Sequence, residues 1–205
     1  TNASITNITY GENATVNITV NGINGTDLSG NVTIILNGQI EVNTTVNSNG
    51  VGSVIVSDLN AGNYTAQVKY LGNDNYNGSE MLVNLTVTKA TINPDDVKVN
   101  VTDFTYGNTT IKVTVPSDAT GNVTITVDGE EFIVPVVNAT AIFDLGNNIT
   151  AGEHNITVVY SGDGNYKDVT KNDTITVTKA TINPDDVKVN VTDSTYGNTT
   201  IKVTV

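Results

Sequence analysis

The residues best suited to chemistry in this chain are asparagines followed two positions later by serine or threonine. The tripeptide Asn-x-Ser/Thr occurs nineteen times, at Asn2, Asn7, Asn13, Asn17, Asn24, Asn31, Asn43, Asn63, Asn77, Asn84, Asn100, Asn108, Asn122, Asn138, Asn148, Asn155, Asn172, Asn190 and Asn198. In a secreted protein this sequon accepts N-linked glycan wherever it is exposed. The same spacing also arises when Asn and Thr fill the solvent face of an alternating strand, because residues two apart share a face. The glycan reading predicts a native mass above 21.5 kDa, in sugar-sized steps. Carboxylates form the second set. Asp58, Asp95, Asp96, Asp118 and Asp163 fall in turns around one expected junction. Hard cations take several oxygen ligands, so calcium is the candidate ion there. The alternative is that Asp-rich turns simply cap and bend the backbone.

Catalysis finds little support. The single histidine, His154, lies in phase with Ile156, Val158 and Tyr160 and is expected on the inward face of a strand. No serine has a base beside it, zinc lacks its usual ligand set, and no glycine-rich loop joins a strand to a helix. Glu130-Glu131 and Asp185-Asp186 are sequence neighbours, so on strands their carboxylates point to opposite faces. Lys69, Lys98 and Lys112 fall on the polar phase, which argues against a buried lysine crosslink. The chain is therefore expected to be no enzyme and to need no cofactor beyond the calcium candidate. Its formal charge is −12, and all nine basic residues are lysines, which argues against a nucleic-acid or anionic-membrane surface. No apolar run approaches the roughly 18 residues of a membrane span, so no direct membrane insertion is expected in this segment. Cysteine is absent, which excludes a disulfide framework.

The elements that must position these residues are strands, and they repeat. The passage from Val87 to Val115 returns from Val177 to Val205 with one difference, Phe104 against Ser194. A fixed period marks a repeat array. The expected units are 1–89 with a shortened first strand, 90–179, and 180–205 as the first two strands of a third unit. Within each unit apolar residues alternate with Asn and Thr, as at Val16, Ile18 and Val20. Asn37-Gly38 and Asp128-Gly129 read as two-residue hairpin turns. Pro135 cannot donate to a ladder, which predicts an edge strand. About seven strands per unit, with turns every eight to twelve residues, indicate an all-β chain of tandem β-sandwiches. Pro94 fixes a short, stiff connection, and Phe104 is expected to pack against its own unit or the junction.

Three motifs then carry a family resemblance: Ala61-Gly62-Asn63-Tyr64, Tyr70-Leu71-Gly72-Asn73-Asp74-Asn75-Tyr76 and Val87-Thr88-Lys89. They resemble the bacterial-type immunoglobulin-like repeats of large surface proteins and are most similar to those in adhesin-like proteins of methanogenic archaea. The resemblance implies an extracellular stalk or adhesin, associated with the cell surface or cell wall, built as a linear array of Ig-like domains without activity of its own. His154 departs from it, standing where Tyr64 and the family pattern have tyrosine. If that tyrosine bonds back to the preceding loop, unit two must use an imidazole instead. The leading functional expectation is a spacer that presents a distal binding region, with neighbouring repeats and N-linked glycan as its partners. The alternative is homo-assembly into an extracellular filament by β-strand exchange, motivated by the two strands within residues 180–205. A carbohydrate-binding module ranks third, because most tyrosines fall in core phase or at fixed turn positions.

Overall fold

The computed structural model describes residues 1–196 and 198–204. Period-two alternation becomes strands throughout, and no α-helix forms among the described residues. The first unit holds β1 (Asn2–Ile5), β2 (Ile8–Thr9), β3 (Ala14–Thr19), β4 (Gly30–Leu36), β5 (Ile40–Val46), β6 (Val51–Val56), β7 (Gly62–Gly72) and β8 (Asn77–Thr88). Two sheets, ordered β1-β3-β6 and β2-β8-β7-β4-β5, face each other. Val16, Ile18, Val32, Ile34, Val68 and Leu85 meet between them, each almost fully buried. Burial follows because alternate residues of every strand point to one face.

The second unit repeats the plan with β9 (Lys98–Asp103), β10 (Thr109–Thr114), β11 (Asn122–Val127), β12 (Glu130–Pro135), β13 (Thr140–Gly146), β14 (Gly152–Tyr160) and β15 (Val169–Val177). Its sheets are β13-β10-β9 and β12-β11-β14-β15. The strand that ends in Pro135 is an edge, as a residue without an N–H requires. Asp128 and Gly129, with φ of 48° and 94°, close the expected two-residue hairpin between Val127 and Glu130. In unit one Leu36 pairs with Ile40, so the loop is one residue longer than expected: Asn37 and Gly38 have φ of 48° and 71°, and Gln39 completes the turn by donating its N–H to the Leu36 carbonyl at 3.0 Å.

One pairing breaks the antiparallel rule. The chain leaves the first sheet after Ile5, and β2 joins the other sheet parallel to β8, setting Ile8 beside Val87. Thr105 and Thr178 make the equivalent parallel bridge in unit two. The first segment of each unit is thus bonded to its last.

Between the units, Asn93 caps a 3₁₀ turn at Pro94–Asp96 by accepting the Asp95 N–H at 3.0 Å. Flanking it, Ile92 and Val97 are buried in the second core. The turn recurs at Pro184–Asp186 with Asn183 as its cap, followed by β16 (Lys188–Thr195) and β17 (Asn198–Thr204) in a two-stranded sheet. Here Ile182, Val187, Ile201 and Val203 are exposed, although their counterparts in unit two are buried.

Candidate functional site, the junction between repeats

The polar groups that converge from distant parts of the sequence lie where the two units meet. The upper loops of unit two, residues 116–121 and 161–168, face the lower end of unit one. Asp163 organises the second of these loops. Its carboxylate accepts the N–H groups of Asn165 and Tyr166, each at 2.8 Å, and reaches across to the Thr120 N–H at 2.8 Å. The Thr120 hydroxyl donates to it at 3.0 Å. Partial burial alone would raise this carboxyl, but these amide donors hold it down to about 2.

The loop so fixed presents Asn165 and Tyr166 to unit one. The Asn165 side chain accepts the Ala61 N–H at 2.9 Å and donates to the Asn60 side chain at 3.1 Å. The Asn165 backbone carbonyl accepts from the Ala90 N–H at 2.9 Å, and the Ala90 carbonyl accepts from the Lys167 N–H at 2.9 Å. Lys89 donates through Nζ to the Asp163 carbonyl. Asp118 is shared between units: the Tyr10 hydroxyl of unit one donates to it at 2.5 Å and the Tyr166 hydroxyl of unit two at 2.8 Å. The two rings meet edge to face at 5.4 Å, a favoured aromatic geometry. Those two phenol donors hold Asp118 below the ordinary carboxylate value. Bonding to Asp118 raises the Tyr10 phenol, and burial together with that bond raises Tyr166.

The expected calcium cluster does not form. Among the described residues no three His, Asp or Glu side chains gather to hold a metal ion. Asp118 and Asp163 do reach the junction, but their oxygens are taken by phenols, amides and a hydroxyl. Asp58 instead accepts the Ser57 hydroxyl at 2.8 Å. Asp95 pairs with Lys171 of β15 at 3.1 Å, on the flank of unit two, and Asp96 follows it in the 3₁₀ turn. The physical reason is that these carboxylates are satisfied separately, Asp58 by its neighbour Ser57, Asp95 by Lys171, and Asp118 and Asp163 by donors of the junction loops and Tyr10.

His154 behaves as the departure from the family pattern requires. The Tyr64 hydroxyl donates to the Asn60 carbonyl, four residues back, at 2.9 Å. In unit two His154 Nε2 lies 2.9 Å from the Thr150 carbonyl, again four residues back. Its Nδ1 is 2.5 Å from the Asp128 carboxylate in the β11–β12 hairpin turn. Both ring nitrogens thus face acceptors, which suits the imidazolium, a donor at both nitrogens. Burial works against the charge, yet the bonds to Asp128 and Thr150 prevail and raise the pKa above its ordinary value. Phe104, expected to be packed away, is 50% exposed. Its contribution is its carbonyl, which accepts from the Thr178 N–H at 2.7 Å and the Thr178 hydroxyl at 3.1 Å.

Every sequon asparagine is exposed except Asn198, whose side chain lies outside the described residues. Sequence reasoning missed Tyr10, Asn165, Tyr166 and Lys89 as junction residues. The available signal was the recurrence of Tyr10 as Tyr106 and of Tyr76 as Tyr166 just outside the alternating strands. No helix of the described residues is long and apolar enough to cross a membrane.

Comparison with known proteins agrees with this architecture. No curated protein matches the chain in sequence. Among solved structures, the bacterial integrin-binding protein invasin is similar at 18% identity, with a TM-score of 0.61 over 93% of this chain and 42% of that one. The chain therefore spans less than half of invasin. A two-domain fibronectin type III segment of chicken tenascin matches at 10% identity and a TM-score of 0.52, covering 86% of this chain and 98% of that one. At these identities the likeness is one of fold. The profile of the bacterial Ig-like domain (group 3) matches twice, over residues 1–88 and 97–180. With both sandwiches matched, the chain belongs to the bacterial Ig-like domain (group 3) family.

Proposed function

We propose that this chain is a non-catalytic spacer in an extracellular adhesin-like protein at the cell surface or cell wall, of the kind its motifs resemble in methanogenic archaea. The observation that carries the reading is the junction. Hydrogen bonds from Tyr10, Ala61 and Lys89 to the loops of unit two restrain both the separation and the orientation of the sandwiches. A flexible linker would provide neither restraint, and a rigid array turns short sandwiches into reach. On this reading the units divide at 89/90 and 179/180, each contacts mainly its neighbours, and N-linked glycan is carried by exposed loop sequons, Asn24, Asn138 and Asn148 foremost. Small-angle X-ray scattering of the full chain tests the stiffness. The expected result is one narrow distribution of distances between the first two units, which broadens in the Asp118→Ala/Asn165→Ala double variant. A wild-type distribution already as broad as the variant's would end the spacer reading.

The exposed apolar face of β16 and β17 favours a second reading, assembly into filaments by strand exchange between chains. Sedimentation across a wide concentration range separates the two. Concentration-dependent polymers favour exchange, and a monomer at all concentrations removes it.

A further inference from the structure

The sequons are not scattered evenly over the sheets, because several face one another across strand pairs. Asn63-Tyr64-Thr65 on β7 runs antiparallel to Asn84-Leu85-Thr86 on β8, with Asn63 opposite Thr86 and Thr65 opposite Asn84. Both crossings are bonded: the Thr86 hydroxyl donates to Asn63 Oδ1 at 2.9 Å and the Thr65 hydroxyl to Asn84 Oδ1 at 3.3 Å. The arrangement recurs between β4 and β5, where Asn31 faces Thr45 and Thr33 faces Asn43, with the Thr33 hydroxyl donating to Asn43 Oδ1 at 2.8 Å. It recurs again between β14 and β15, where Asn155 faces Thr174 and the Thr157 hydroxyl donates to Asn172 Oδ1 at 2.9 Å. Between β1 and β3, Asn2 faces Thr19 and Ser4 faces Asn17.

The geometry behind this is simple. In an antiparallel pair, when position i lies opposite position j+2, position i+2 lies opposite position j. Asn-x-Thr is therefore complementary to itself: two copies in register place each carboxamide against a hydroxyl at both crossings. A slip of one residue turns every apolar side chain to the wrong face. A slip of two keeps the faces correct, and apolar alternation of Val, Ile and Leu penalises it little. It does, however, break the double match: slipped one way it sets Asn against Asn, and slipped the other it sets hydroxyl against hydroxyl at one crossing, although Asn63 then meets Thr88 and Asn155 meets Thr176 at the other.

We propose that the facing Asn-x-Ser/Thr tripeptides are a self-complementary pairing element that sets the register of the antiparallel strands in these sandwiches. The richness of the chain in sequons then has a cause inside the fold, independent of any sugar. The element also labels pairs: β4 chooses β5 and β7 chooses β8 by a polar match on the solvent face, while the apolar faces are nearly interchangeable.

A partner swap tests this in unglycosylated recombinant full-length chain. Asn63→Thr sets Thr against Thr86, and Thr86→Asn sets Asn against Asn63. The swapped double variant restores an Asn–Thr pair with its direction reversed. Unfolding of the first unit is followed in denaturant. Each single variant is expected to lower the folding equilibrium constant, and the double variant to recover it by about two- to tenfold over the product of the singles. A double variant that equals that product overturns the proposal. Amide exchange in the Thr65→Val/Thr86→Val variant reads register directly. Protection loss along β7 and β8 beyond the altered sites supports the proposal, and an unchanged pattern counts against it.

Discussion

At the scale of single residues, two side chains of unit two make its stability depend on pH. The folded pKa of His154 lies above the value of about 6.5 expected of an unfolded chain. A raised pKa means that the charged ring stabilises the fold fully below that unfolded value, and that the gain is lost as pH rises through the folded one. The thermal midpoint of unit two should therefore fall by a few degrees as pH rises from 6 to 9. In His154→Tyr, which takes up the arrangement of Tyr64 on Asn60, that slope should vanish; calorimetry over this range reads both. Asp163 has the opposite sign. Its carboxyl, held at about 2, contributes stability above the ordinary carboxylate value that disappears as pH falls through the folded one. Asn73 occupies the equivalent place in unit one and accepts the Asn75 and Tyr76 amides at 2.9 and 3.0 Å without a charge to titrate. Asp163→Asn should accordingly weaken the acid unfolding of unit two between pH 4 and 2, while lowering its neutral stability by about 1 to 3 kcal/mol. Denaturant melts at the three pH values separate these effects.

At the scale of elements, loops with positive φ punctuate the sandwiches, but they do not tolerate change equally. Gly129, at φ 94°, has nothing within 4 Å of where a Cβ would stand, so Gly129→Ala carries backbone strain alone, about 1 kcal/mol. Gly162, at φ 72°, would set its Cβ 2.8 Å from the Asp168 nitrogen and the Tyr166 oxygen. Gly162→Ala should cost at least twice as much and should also disturb the loop that meets unit one. Comparing the two variants by denaturant unfolding and by scattering checks both parts. Much of this level was readable beforehand. Asn37-Gly38, Asp128-Gly129 and the edge strand with Pro135 announce themselves, because turn chemistry and a missing N–H act within a few residues. The inward place of His154 and its bond to the preceding loop followed from phase and from Tyr64. The crossing of β2 to the second sheet was not readable, since Ile8 and Thr9 look alike in either sheet. The junction was not readable either. Asp118 and Tyr10 are over a hundred residues apart, and nothing local distinguishes a carboxylate that waits for a phenol from one that caps a turn.

At the scale of the whole molecule, the two apolar cores are separate, and the described contacts between units are polar or aromatic and lie at loop ends. Each such hydrogen bond is worth about 0.5 to 1.5 kcal/mol. Calorimetry of the full chain should therefore resolve two transitions, and Asn165→Ala should move each by only a few degrees while leaving both cooperative. A single transition that survives this variant would show stronger coupling than these contacts supply. The parallel pairing of β2 with β8 has a consequence of another kind. Tension along the chain would draw the opening strands of a unit one way and its last strand the other. Of these, β2 lies beside β8, with Ile8 against Val87 and the Tyr10 N–H on the Thr88 carbonyl. Thr105, Tyr106 and Thr178 repeat the arrangement in unit two. A pull on such a pair slides the strands along each other, so the bonds between them share the load and break together. Bonds unzipped from one end would instead break in turn, each at a lower force.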